Sequence, residues 1–212
     1  MLVDNQISRR AKANFPTVLL TLLSIVQALA LELLWSHLSE QGYLYDWTFI
    51  AVLVWLQIGA TLLGILVVWL VYSDLVLRLV WVPITTDALF PFLIGLLEFA
   101  QIGMLGAGNL GPWFVLLSIL FVAMAWISQT SMKRARAAKE NDDFFRNIQP
   151  ATWRDHVPTV LPSILLLAVG IGFWFKPDEG WVALAAVLIV IGLLAYRMWM
   201  SHIYTQRSYR LQ

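Results

Sequence analysis

Cysteine is absent from this chain of 212 residues, and only 13% of the residues are charged. The absence of cysteine excludes disulfides, thiolate metal sites, iron–sulfur clusters and a cysteine nucleophile. A soluble domain usually carries about 25% charged residues, so the chain has too little charge for a water-exposed surface. Its formal net charge of +1 also lacks the basic excess that nucleic-acid binding requires, and we expect no nucleic-acid partner.

Residues and motifs that mark common cofactors and enzymes are also missing. The three histidines (His37, His156 and His202) fall in loops or at the ends of apolar runs, which argues against a haem held deep in a membrane. The sequence contains no HExxH, GxSxG, P-loop, glycine-rich dinucleotide motif or TVGYG filter. We therefore expect no cofactor, no metal and no enzyme, the alternative being a catalytic constellation outside these motifs.

Hydrophobic residues make up 60% of the chain and fall in long runs separated by turn residues. A helix that crosses a bilayer needs about 20 mostly apolar residues. Six runs are near this length: 15–35, 47–72, 86–105, 112–131, 157–175 and 181–200. The sequence therefore predicts an all-α polytopic integral membrane protein with a single transmembrane domain of six helices.

The ends of two predicted spans carry further signals. The apolar pattern of the second span continues past Tyr72, and Pro83 followed by Thr85 and Thr86 predicts a stop and the N-cap of the third span. Asp74 and Arg78 lie four apart at the end of the second span, a favourable spacing for an interfacial ion pair. We expect the second span to be long and to continue into the interface.

The polar segment 132–156 is predicted to be a cytoplasmic connector. Opposite charges recur at a spacing of four, which favours a charged continuation of the fourth span as a helix until Pro150. The pairs are Arg136 with Glu140, Lys139 with Asp143, and Asp142 with Arg146.

The orientation follows from lysine and arginine, because cytoplasmic flanks retain positive charge during insertion. An N-terminus inside places every lysine and arginine on the cytoplasmic side except Lys176, so both termini are predicted to be cytoplasmic. Tryptophans near span ends, among them Trp35, Trp47 and Trp113, are predicted headgroup anchors. A signal peptide is the alternative to the first span. The run to Trp35 exceeds the usual h-region of about 7–15 residues, and we expect a retained helix.

The third span carries the richest polar stripe. Asp87, Pro91, Ile94, Glu98 and Gln101 recur at helical spacing, with Glu98 near the middle of the span. Ionisable groups at this depth are costly and usually face a bundle interior or a wet cavity. Without a cation partner, Glu98 is expected to be largely protonated at neutral pH, because burial disfavours the charged form.

The first two spans carry milder stripes, with Ser24, Gln27 and Glu32 on the first and Gln57 and Thr61 on the second. Small and polar residues allow close helix contacts and hydrogen bonds between helices. The simplest assembly joins these stripes to that of the third span. Gln27, Gln57, Glu98 and Gln101 would then meet in a core, with Glu32 nearer the outer surface and Asp87 nearer the inner one. The fifth and sixth spans are expected to face lipid or a partner subunit.

Two hypotheses for function follow from the polar stripes. The first is a small transport protein, either a channel or a proton-coupled carrier, with a path along the first three helices and Glu98 as its protonatable centre. The second is a non-catalytic membrane subunit or scaffold, in which the Glu98 cluster only fixes helix register. Membrane lipids are expected partners, together with a homo-oligomer or other membrane subunits. The expected location is a bacterial inner membrane.

Overall fold

The computed structural model describes residues 2–80, 84–146, 153–176 and 180–210. Throughout these ranges the regular elements are helices. The α-helices are α1 (Leu2–Glu40), α2 (Phe49–Arg78), α3 (Thr85–Gly103), α4 (Leu110–Ala137), α5 (Asp142–Phe145), α6 (Trp153–Phe175) and α7 (Trp181–Arg210). Short 3₁₀ turns occupy Gly42–Tyr45, Ala107–Asn109 and Lys139–Asn141.

Six of the described helices are long and apolar enough to cross a membrane, which confirms the predicted all-α membrane class. The spanning stretches are Lys12–Glu40, Phe49–Arg78, Thr86–Gly103, Ala107–Ala137, Val157–Phe175 and Trp181–Met200. They match the six predicted runs, and the second extends beyond Tyr72 as expected. The cytoplasmic placement of the termini stays a prediction.

Contacts between helix ends define two ends of the bundle. At the first, which we call the basic end, Lys12 of α1 reaches Glu140, Arg134 of α4 reaches Asp87, and Arg197 of α7 reaches the start of α6. At the opposite end, the α3–α4 turn at Gly106 packs on α2. Cationic side chains from α1, α4 and α7 therefore lie at the same end, as the charge pattern of the sequence predicts for one membrane face.

The helices pack mainly as α1 with α3, α2 with α7, and α4 with α6, while α1 with α2 and α3 with α4 link these pairs. The α4–α6 contact is the tightest. A Cβ atom at Gly111 would lie 2.8 Å from the backbone nitrogen of Trp174, and one at Gly170 would lie 2.9 Å from that of Val115. Only glycine allows two helix backbones to approach this closely at these positions.

A proline explains the link between α6 and α7. Pro162 has no N–H, so the carbonyl of Pro158 lacks its normal helical donor. The guanidinium Nη2 of Arg197 donates to this carbonyl oxygen and to Thr159 Oγ1, each at 2.6 Å. Arg197 therefore satisfies a helix defect and joins α7 to α6.

The prediction of one continuous helix from the fourth span to Pro150 was wrong in the described part. Helix α4 ends at Ala137, Ala138 is extended, and the chain turns into Lys139–Asn141 and α5. The side-chain amide of Asn141 explains the turn. It donates to the carbonyl oxygens of Ala135 and Val80 and accepts the N–H of Val80 at 3.0 Å, thereby satisfying chain ends of both α4 and α2. Residues 147–150 lie outside the described ranges.

The predicted charge pairs of the connector are replaced by others. Glu140 is bound by Lys12 at 2.7 Å, and Asp143 by Arg146 at 2.7 Å. The guanidinium of Arg136 lies over the ring of Phe145, 4.5 Å from its centroid. A spacing of four brings side chains together only on a continuous helix. Because α4 ends at Ala137, the predicted partners are not brought together.

Helix α3 begins at Thr85, and its cap differs from the predicted threonine cap. The N-cap is Ile84, whose N–H donates to the Asp87 carboxylate at 3.0 Å. An apolar side chain cannot cap a helix, so the acidic residue in the first turn supplies the acceptor instead. Pro83 lies outside the described residues.

Candidate functional site

Glu98 lies on α3 in the interior of the bundle and is only 1% exposed. Its partner is Gln27 of α1, which is 5% exposed. Gln27 Nε2 donates to both carboxyl oxygens, at 3.2 Å to Oε1 and 2.9 Å to Oε2. The structure thus brings together one carboxyl group and one amide from the predicted polar stripes.

The contact between α1 and α3 is closest beside this pair. A Cβ atom at Gly95 would lie 2.3 Å from Val26 Cγ1. Gly95 and Val26 each precede the polar pair along their helices, so one glycine allows the approach that puts Gln27 within reach of Glu98. We call Val26, Gln27, Gly95 and Glu98 the α1–α3 seam.

Near Glu98, the buried atoms Gln27 Oε1 and Gln101 Nε2 lack a hydrogen-bond partner in the described part of the chain. Gln101 is 3% exposed and lies one turn from Glu98 on α3. Buried polar atoms normally have partners. The missing partner of Gln27 Oε1 is a donor, which a protonated Glu98 possesses and an ionised one does not.

Gln57 and Thr61 form a separate polar group nearer the opposite end. Gln57 Oε1 accepts the N–H of Gly106 at 2.9 Å, and Gln57 Nε2 makes a longer 3.5 Å contact with the Met104 carbonyl oxygen. Gly106 has a φ of 129°, a conformation that favours glycine. Gln57 therefore holds the α3–α4 turn, and the hydrogen bonds described for it do not include Glu98.

Trp113 completes this second group, although sequence reasoning placed it at a headgroup boundary. It is fully buried, and its indole Nε1 donates to Thr61 Oγ1 at 3.1 Å. Trp35 and Trp47, by contrast, are 71% and 92% exposed, as interfacial anchors should be. A position near the end of a span therefore does not show whether a tryptophan is buried in the bundle or lies at the interface.

Asp87 forms a buried ion pair near the start of α3. It is 1% exposed, and the guanidinium of Arg134 on α4 binds it through Nη1 to Oδ2 at 2.8 Å and Nη2 to Oδ1 at 2.6 Å. Tyr72 of α2, also buried, lies close enough to interact with both charges. Sequence reasoning missed Arg134 as a partner, because a basic residue at a span end is ordinarily a cytoplasmic flank.

Ser24 and Glu32 lie on the exposed face of α1, away from the Glu98–Gln27 pair. A shallow groove of about 480 Å³ runs along this face, lined by Thr17, Leu20, Thr21, Ser24, Ile25 and Ala28. The predicted stripe of α1 thus divides into an inner part with Gln27 and an outer part with Ser24 and Glu32. Gln27 is rotated around the helix from both Ser24 and Glu32, and it faces inward while they remain exposed.

The predicted interfacial pair of Asp74 and Arg78 forms, with Arg78 Nε 2.6 Å from Asp74 Oδ1. The pair precedes the anchoring contact of Val80 with Asn141. Both interactions stabilise the last turn of α2 at the basic end.

In the described ranges, no group of three or more histidine or acidic residues could hold a metal ion. Searches against protein-family models, curated proteins and solved structures find no match for the chain. The site is therefore interpreted from its own chemistry: a buried carboxyl group with an amide partner can bind and release a proton.

Proposed function

We propose that this protein is a small transport protein, a proton-coupled carrier or channel of a bacterial inner membrane, in which Glu98 binds the proton. The observation that carries the proposal is the environment of Glu98: a carboxyl group 1% exposed, within a membrane-spanning helix, bonded to a neutral amide. Ionisable groups at such depth most often serve ion pathways or proton relays.

The remaining polar groups define the two ends of the proposed path. At the basic end the Asp87–Arg134 pair lies between α3 and α4, and at the opposite end Gln57 holds the turn at Gly106. Both are closed by direct contacts. A chain of six spans is small for a wide pathway, and we propose that it works as a homo-oligomer.

The test is proton flux in proteoliposomes that contain an entrapped pH-sensitive dye and carry a pH gradient. Wild type should dissipate the gradient and Glu98→Gln should not, because an amide cannot exchange a proton while it keeps the shape and hydrogen bonding of the acid. Glu40→Gln is the matched control, since Glu40 is an exposed residue at the end of α1. Equal flux in wild type and Glu98→Gln, or no flux in wild type, would contradict the proposal.

A membrane subunit or scaffold is the second candidate, and the exposure of α6 and α7 favours it. Only 22% of the most apolar stretch of each helix is buried within the chain. Such faces can contact a partner as readily as lipid. Chemical cross-linking in the native membrane, followed by mass determination, tests this function: a defined heteromeric product supports it, and monomers or homo-oligomers alone contradict it.

A further inference from the structure

We propose that α1 is a movable gate helix, and that loss of a proton from Glu98 opens the α1–α3 seam. The inference rests on the proposed function in one respect, namely that Glu98 exchanges a proton. It goes further by naming the element that moves.

The first argument is the number of hydrogen bonds that each form of Glu98 can make. The uncharged acid has one O–H donor and one carbonyl acceptor, and the amide of Gln27 has a matching oxygen acceptor and NH₂ donor. The pair can therefore satisfy both groups when Glu98 is protonated. When Glu98 is ionised, both of its oxygens share the single NH₂ group of Gln27, and Gln27 Oε1 is left without a donor.

The second argument is the lack of space for water. At the seam even a methyl group on Gly95 would overlap Val26 Cγ1 at 2.3 Å. A charged carboxylate in a low-dielectric interior needs hydration or a cation, and its burial without either is costly. With α1 and α3 in contact the seam supplies neither, so ionisation favours their separation.

The third argument is the charge distribution around Glu98. On the helices packed against α3, the charged and titratable groups of the described residues are concentrated towards the helix ends. They are Asp4, Arg9, Arg10, Lys12, Glu32, His37 and Glu40 on α1, Tyr72, Asp74 and Arg78 on α2, and Lys133, Arg134 and Arg136 on α4. Asp87, on α3 itself, forms an ion pair with Arg134. In the described structure the hydrogen bonds of the Glu98 side chain are those with Gln27, and no cation is there to hold its charge.

The fourth argument is the freedom of α1. Its main packing partners are α3 and α2, and its outer face is exposed along Thr21, Ser24 and Ala28. Helix α3 is held at its start by the buried Asp87–Arg134 pair with α4, whereas the Lys12–Glu140 pair that holds α1 at the same end is more exposed. Of the two helices at the seam, α1 is therefore the one that can move with the smaller loss of contacts.

The absence of native cysteine makes the test direct. Ala30 and Leu23 are fully buried and lie one turn on either side of the seam residues of α1. We would measure the rate at which a thiol reagent labels Ala30→Cys, and Leu23→Cys as a second position, in liposomes from mildly acidic to mildly alkaline pH. Ala183→Cys is the control, because Ala183 is also fully buried but lies on α7.

Each rate is divided by that of Ala183→Cys, which removes the intrinsic rise in thiolate with pH. The ratio should increase with pH, by up to roughly tenfold per pH unit, since the ionised fraction of a mostly protonated carboxyl grows in that proportion. Combining either cysteine with Glu98→Gln should abolish the increase. A ratio that does not change with pH, or one that rises equally with Glu98→Gln, would overturn the gate.

The labelling experiment requires no transported substrate, so its outcome is distinguishable from that of the flux experiment. Labelling that depends on Glu98 without proton flux leaves the gate standing and removes the transport function. Flux that depends on Glu98 without a change in labelling leaves transport standing and overturns the gate.

Discussion

Asp87 and Glu98 are two carboxyl groups on one helix, each 1% exposed, yet their surroundings are opposite. Asp87 binds a guanidinium through both oxygens and caps the start of α3. Glu98 contacts a neutral amide. A buried carboxylate is tolerated when a cation and N–H donors satisfy it. Equal burial therefore accompanies an ion pair in one case and a hydrogen bond to a neutral amide in the other.

The position of each group along α3 contributes to this difference. The helix N-terminus carries a partial positive charge and unpaired N–H groups, both of which stabilise an anion at Asp87. Glu98 lies in the third turn beyond it, where the backbone groups are already paired. The basic end thus holds Asp87 in an ion pair, while in the middle of the bundle Glu98 has a neutral amide as its partner.

The largest expected effect comes from breaking the ion pair. Arg134→Met should lower the free energy of unfolding in detergent by about 3–5 kcal/mol, because it leaves the buried Asp87 carboxylate without its cation. Adding Asp87→Asn should restore much of the loss. A small effect of Arg134→Met, measured by thermal or denaturant unfolding, would show that Asp87 does not depend on this partner.

The second-largest loss of stability is expected from overpacking the α1–α3 seam. Gly95→Ala should destabilise the protein by about 1–3 kcal/mol, because the added methyl group meets the stiff, β-branched Val26. Val26→Ala in the same chain should relieve the overlap, and a double-mutant cycle measures the coupling. Purely additive effects would contradict direct contact at the seam.

Substitutions of Glu98, in the middle of the bundle, test whether stability depends on its shape and hydrogen bonding or on its charge. Glu98→Leu leaves Gln27 without its partner and should cost about 1–3 kcal/mol, whereas Glu98→Gln should be nearly silent in stability. The unfolding midpoints of these two variants are to be compared with that of Asp87→Asn. The neutral replacement of Asp87 should be costly unless Arg134 is also removed. Equal losses for Glu98→Leu and Glu98→Gln would mean that Glu98 needs its charge.

The smallest effect is expected at the exposed pair of Lys12 and Glu140. The hydrogen bond from Lys12 lowers the pKa of the Glu140 carboxyl. A carboxyl whose pKa is lowered by folding stabilises the protein above its ordinary pKa, and this contribution is lost as the pH falls through the lowered value. The unfolding midpoints of wild type and Glu140→Gln should therefore converge in acid, and salt should narrow their difference at neutral pH. A difference that persists in acid would point to another role for Glu140.

Individual residues show how far sequence reasoning extends. The interior position of Glu98 follows from its place in an apolar run and from the cost of exposing it to hydrocarbon. Its pairing with Gln27 could be anticipated from the helical stripes, although these placed Gln57 and Gln101 in the same core. Gln57 instead holds a turn, and Ser24 and Glu32 lie outside. A stripe identifies a face of a helix but does not say which neighbour the face contacts.

The sequence by itself determined the six spanning helices and the collection of cationic groups at one end, because both depend on transfer between water and hydrocarbon, a property of local composition. Only the tertiary structure decided that Arg134 pairs with Asp87, that Asn141 ends α4, and that Gly95 brings Glu98 to Gln27. These depend on the relative rotation and depth of separate helices. Packing and hydrogen-bond geometry over a few ångströms select that arrangement, and the apolar pattern of each helix permits many alternatives.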